Sequence, residues 1–117
     1  ARARVRGRLD AGLDLDDRHV FVTDEKGAVH ALDISSGASA WKQDQLASRG
    51  TGRPLVSGDQ VLVGDSEGYV HILKKDDGTL VGRQRVASSP IVADLQRAAG
   101  DIIAQTRDGT VAAIGVQ

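Results

Sequence analysis

A repeat with a period of 41 residues constrains this chain more than any other feature. Val20–Gly37 reads VFVTDEKGAVHALDISSG and Val61–Gly78 reads VLVGDSEGYVHILKKDDG. Val20, Val22, Asp24, Gly27, Val29, His30, Leu32 and Gly37 recur as Val61, Val63, Asp65, Gly68, Val70, His71, Leu73 and Gly78. A third copy, IIAQTRDGTVAAIG from Ile102, holds the same frame, with Gly109 and Val111 in the places of Gly68 and Val70. A period of about 40 to 45 residues is that of a β-propeller blade, each repeat being one meander that buries its faces against its neighbours.

The local pattern inside each repeat is that of strands. Apolar residues alternate at Val20 and Val22 and again at Val61 and Val63, the period of a pleated strand. Polar residues ending in glycine separate the runs: Asp24 to Gly27, Asp65 to Gly68 and Arg107 to Gly109. Glycine at the end of a tight hairpin supplies a positive φ. The fold class predicted is all-β: about three consecutive four-stranded antiparallel blades of a larger propeller. Residues 1–6 are expected to be the outer strand of a preceding blade. Blades are expected at 10–46 and 53–86, and a last blade lacking its outer strand at 90–117. Within them, inner strands are expected near Asp10 to Leu15, Arg53 to Val56 and Pro90 to Ala93. An open array exposes apolar faces and strand edges, so self-association is expected, or strand exchange through Ala1 to Arg6.

Composition narrows the function. The 117 residues hold 15 basic and 16 acidic side chains, a formal net charge of −1, and no cysteine. A balanced charge gives no general field for nucleic acid or an anionic membrane, and the absence of cysteine removes disulfides, thiol catalysis and Cys-based zinc sites. Arg2, Arg4, Arg6 and Arg8 alternate like the polar face of a strand and lack the aromatic neighbours of a nucleic-acid arm.

His30 and His71 occupy one position in two repeats. A group repeated blade after blade belongs to the architecture, whereas a catalytic group is usually unique. His19 has no nucleophile or carboxylate constellation in sequence. Asp14, Asp16 and Asp17, like Asp76 and Asp77, lack the spacing and closing glutamate of a calcium loop. No catalytic residue, cofactor ligand or metal ligand is therefore assigned. For partner binding, the candidates are Leu46, Arg49 and Arg53, in the long connection between an outer strand and the next inner one, with Leu46 expected to be exposed.

Ala31-Leu32-Asp33-Ile34-Ser35-Ser36-Gly37 followed by Trp41 resembles the A-L-D-x-x-[ST]-G-x-x-x-W signature of pyrroloquinoline-quinone-type propeller repeats. The second copy departs from it, with Lys74 for the aspartate and Gly82 for the tryptophan. Val61 to His71, Asp108 to Val111, Ser89 to Val92 and the ending Val116-Gln117 are similar to the C-terminal part of the BamB family. The resemblance implies an eight-bladed propeller lipoprotein of the outer-membrane β-barrel assembly (BAM) machinery, at the periplasmic face of the bacterial outer membrane. It implies a non-enzymatic scaffold without cofactor that binds the periplasmic domains of a BamA-type barrel protein and nascent outer-membrane proteins, with an N-terminal lipid anchor outside these residues. The alternative is a fragment of a quinone-dependent dehydrogenase, which shares the repeat and needs calcium and an aromatic floor for its cofactor.

Overall fold

A computed structural model describes residues 13–98 and 100–115. It contains eleven strands and, among the described residues, no helix. The first sheet joins β1 (Leu13–Leu15), β2 (His19–Thr23), β3 (Val29–Asp33) and β4 (Ser39–Gln43) in that order. The second joins β5 (Leu55–Ser57), β6 (Gln60–Gly64), β7 (Tyr69–Lys74) and β8 (Leu80–Arg85). The third joins β9 (Gln96–Ala98), β10 (Asp101–Gln105) and β11 (Val111–Gly115). Every pairing is antiparallel, and the first two sheets carry a register shift at the same place, between Ala31 and Leu32 and between Ile72 and Leu73. Three meanders repeated in one frame are the propeller-blade fold class that the repeat predicts. Residues 1–6, expected as an outer strand, lie outside the described residues.

The sheets stack face to face, and side-chain alternation decides which interface each residue enters. From β6, Val61 and Val63 join Phe21, Val29, Ala31, Trp41 and Leu73 between the first and second sheets. Leu62, one step along the pleat, joins Val70, Ile102, Ala104 and Ile114 between the second and third. The middle sheet is covered on both faces, which is why its β6 reads as an unbroken apolar run. Burying an aliphatic or aromatic side chain of this size contributes about 1.5–3 kcal/mol. Few aromatics are needed because the interfaces are filled by β-branched and small residues.

Trp41 ties the first two sheets together. Its ring lies on Gly78 and tilts against Phe21 at 5.9 Å between centroids, and its indole N–H donates to the Lys75 carbonyl at 2.8 Å. Gln43 Nε2 donates to the Gly78 carbonyl at 2.8 Å. Gly78 meets two demands: its φ is +76°, and a Cβ there would sit 2.5 Å from Trp41 Cε3.

One strand lies elsewhere than the sequence predicts. The inner strand of the third sheet is Gln96–Ala98, and Pro90–Ala93 contributes only the isolated bridge between Ile91 and Thr106. Pro90 has no N–H to give to a ladder. The Ile91 N–H donates across to Asp65 O, and the Ile91 side chain covers Gly64. The segment after Ser89 is thereby held to the second sheet, and the strand forms later. Arg97 then binds the Val56 carbonyl through Nε at 2.9 Å and the Asp14 carboxylate through Nη2 at 2.8 Å. The Val56 N–H donates to the same carboxylate, so one network joins the inner strands of all three sheets.

Candidate functional site

The β2–β3 and β6–β7 turns share one rim with the connections that lead from each sheet to the next. The connection of residues 44–54 is clasped from both sides. The Ser48 N–H donates to Lys26 O and Thr51 Oγ1 to Gly27 O, both in the β2–β3 turn. On the other side, Ser66 in the β6–β7 turn donates its N–H and its hydroxyl to Arg49 O. The next connection repeats the plan: the Val86 N–H donates to Gly68 O and the Arg107 N–H to Pro90 O. The approach is close enough that a Cβ on Gly68, whose φ is +89°, would fall 2.1 Å from Ala87 O.

Each of the first two turns is built around an aspartate. Asp24 Oδ1 accepts from the Lys26 and Ala28 N–H groups, and its Oδ2 lies 2.7 Å from His30 Nε2. Asp65 Oδ1 accepts from the Glu67 and Tyr69 N–H groups, and its Oδ2 lies 2.7 Å from His71 Nε2. An ionised carboxylate only accepts, so each Nε2 carries the proton. Burial alone would raise both carboxyls. The histidine and backbone hydrogen bonds outweigh it and hold them below the ordinary value of 3.8. In the third copy Thr106 stands at the aspartate position and Ala112 at the histidine position. There the turn closes through Thr106 and Thr110 with Asp108. Aspartate and histidine occur together or not at all, as expected of a turn brace.

The three residues predicted for partner binding part company. Leu46 is 1% exposed and packs in the core with Phe21, Val29 and Trp41, so its expected exposure is corrected. It is the apolar plug that anchors the connection under the rim. Arg49 is partly exposed and donates from Nε to Asp65 Oδ2 at 3.2 Å. Arg53 points toward the inner strands: its Nε donates to Leu13 O at 2.8 Å, and Nη1 lies 3.5 Å from Asp94 Oδ2.

A group not singled out from the sequence sits beside Arg49. The ring of Tyr69 has the guanidinium carbons of Arg83, Arg85 and Arg49 at 4.8, 5.2 and 5.8 Å from its centroid. Arg83 and Arg85 reach it because they stand directly opposite His71 and Tyr69 in the β7–β8 pairing. Below them an open cavity of about 450 Å³ is lined by Leu46, Arg49, Leu80, Val81 and Arg83, among others. The available signal was the alternation Arg83-x-Arg85 one hairpin from Tyr69, at positions where the first copy has Lys42, Asp44 and Ala28.

A family model described as outer membrane protein assembly factor BamB matches residues 2–68 and again 45–117, nearly the whole chain between them. The chain belongs to the BamB family. The outer membrane protein assembly factor BamB of Bordetella pertussis is 37% identical over 101 residues, covering 86% of this chain and 26% of that protein. The crystal structure of BamB from Moraxella catarrhalis superposes with a TM-score of 0.81 at 27% identity, over 90% of this chain and 32% of that one. The chain thus spans about a quarter to a third of the length of these BamB proteins. The quinohemoprotein alcohol dehydrogenase of Comamonas testosteroni superposes with a TM-score of 0.69 at 23% identity, over 86% of this chain and 17% of that one. That likeness shows a common fold and nothing of its chemistry.

Proposed function

We propose that this BamB-family chain is a sector of a non-enzymatic scaffold in outer-membrane β-barrel assembly. It acts at the periplasmic face of the outer membrane as a subunit of the BAM complex. There it binds the periplasmic domains of a BamA-type barrel protein and assists insertion of nascent outer-membrane proteins. Family membership over nearly the whole chain carries this reading.

The rim geometry supports it. The histidine–aspartate pairs that could suggest acid–base chemistry are braces of repeated turns, half-buried at His30 and buried at His71. Among the side chains the rim leaves accessible are Arg49, Arg83, Arg85 and Tyr69, residue types enriched where proteins meet. Of the sequence candidates, Arg49 remains on this rim for a partner to meet, Arg53 serves the inner strands, and Leu46 acts by holding the connection in shape.

The test is removal of the gene from its own organism. Folded barrel protein in the outer membrane is expected to fall and to recover when the full-length protein is restored. Unchanged barrel content, with loss of a quinone-dependent dehydrogenase activity, would replace this reading by the enzymatic one.

A further inference from the structure

One constellation on the rim is absent from the other copies of the repeat. The turn aspartates, the paired histidines, the glycines and the core valines recur between the first two copies. The cluster of Tyr69 with Arg49, Arg83 and Arg85 does not. The first copy places Ala28, Lys42 and Asp44 at the positions of Tyr69, Arg83 and Arg85, and the third places Thr110 at that of Tyr69. Trp41 and Leu46 are also unrepeated but are buried in the core, whereas Arg83 and Arg85 are exposed and serve no packing.

The cluster is also unbalanced in charge. Three guanidinium groups converge on one aromatic ring, and among the described residues one carboxylate, Asp65, reaches any of them. That carboxylate is fully buried and already shared with His71 and two backbone N–H groups. Arg83 and Arg85 are exposed, and neither makes an ion pair among the described residues. Attraction to the face of Tyr69 gathers the cations, while the repulsion between Arg83 and Arg85 is left uncompensated among the described residues. An arriving anion relieves it.

We propose that this face of β7 and β8 binds an acidic, extended segment of a partner protein. Two features select a peptide over an isolated anion. Arg83 and Arg85 are alternate residues of one strand on one face, about 7 Å apart along it, the repeat at which an extended peptide presents its own alternate side chains. The cavity beside them also has an apolar wall, Leu80 and half-exposed Val81, suited to the aliphatic residues between carboxylates. The site goes beyond the assembly reading and does not require that the partner be a barrel protein.

The experiment is fluorescence anisotropy with the full-length protein and a labelled decapeptide of alternating aspartate and valine. Saturable binding is expected that weakens steeply with salt. R83E/R85E is expected to weaken it about tenfold or more, R83Q/R85Q less, and Y69L measurably. R107E, in the corresponding turn of the third copy, is expected to leave it unchanged. These arginines are exposed, so circular dichroism and the thermal midpoint of the glutamine variant should match the wild type. Equal binding of a lysine–valine peptide, or indifference to R83Q/R85Q, would overturn the site. Capture of phosphatidylglycerol vesicles with no binding of the acidic peptide would overturn it in favour of a lipid headgroup site. If the peptide binds through these arginines while gene removal leaves barrel content unchanged, the site stands and the assembly reading falls.

Discussion

His71 Nε2 and Asp65 Oδ2 lie 2.7 Å apart beneath the β6–β7 turn, and His30 and Asp24 repeat that distance one blade earlier. The relation explains why a histidine belongs in an apolar strand. The aspartate must be fixed to accept two turn N–H groups, and the imidazole on the next strand fixes it. Replacing Asp65 by alanine leaves buried His71 and two half-buried N–H groups without their acceptor and should cost about 2–4 kcal/mol in chemical denaturation. The third copy supplies the compensated pair. D65T combined with H71A should lose clearly less than the sum of the two single changes. Strict additivity would show that the pair is not the brace described.

Trp41 and Gly78 yield a steric prediction. G78A should destabilise by well over the cost of a left-handed backbone alone, which is about 1 kcal/mol, because its Cβ would meet Trp41 Cε3 at 2.5 Å. G58A is the control: its φ is +56° with nothing within 4 Å of the new Cβ, so only the backbone cost should appear. Trp41→Ala removes the ring and its hydrogen bond and should cost about 3–5 kcal/mol. In that background G78A should lose most of its excess penalty.

Leu46 marks the limit of reading one sequence. The repeat, the strand order and most strand positions followed from alternation and turn glycines, because those signals are local. The exposure of Leu46 did not. A connection without the repeat pattern reads as a surface loop, and only the packed blades show Leu46 in the core cluster with Phe21 and Trp41. The inner strand of the third sheet was misplaced for a similar reason: Ile91 is committed to Gly64 of the neighbouring sheet, a contact absent from local periodicity. The arginine cluster was visible only as a break in the repeat and needed the β7–β8 register to bring Arg83 and Arg85 to Tyr69. L46A is accordingly expected to cost about 2–5 kcal/mol of stability. R53A, which loses one exposed hydrogen bond and one exposed ion pair, should cost about 1 kcal/mol.

Acid should weaken the blades in a defined window. Burial would raise Asp16, but the Arg18 and His19 N–H groups and the Lys75 ammonium hold it at about 2. Burial would raise Asp24 and Asp65 too, but the histidine and backbone hydrogen bonds together outweigh it and lower both from 3.8. A carboxyl whose folded value lies below its unfolded one stabilises the fold above the unfolded value and loses that contribution as pH falls through the folded one. For these carboxyls, stability should hold from neutral pH to about 4 and decline from there toward pH 2. In D65N the decline should be shallower. A midpoint of thermal unfolding that changes between pH 7 and 5 but not below would assign the dependence to other groups.

The central claim is that these blades belong to a scaffold that grips the barrel assembly protein. Calorimetric titration of the full-length protein with the purified periplasmic domains of that barrel protein tests it most directly, with the absorbance spectrum of the same sample recorded beforehand. The account predicts saturable binding with no quinone absorbance. Absence of binding, in a sample carrying stoichiometric quinone, would contradict it.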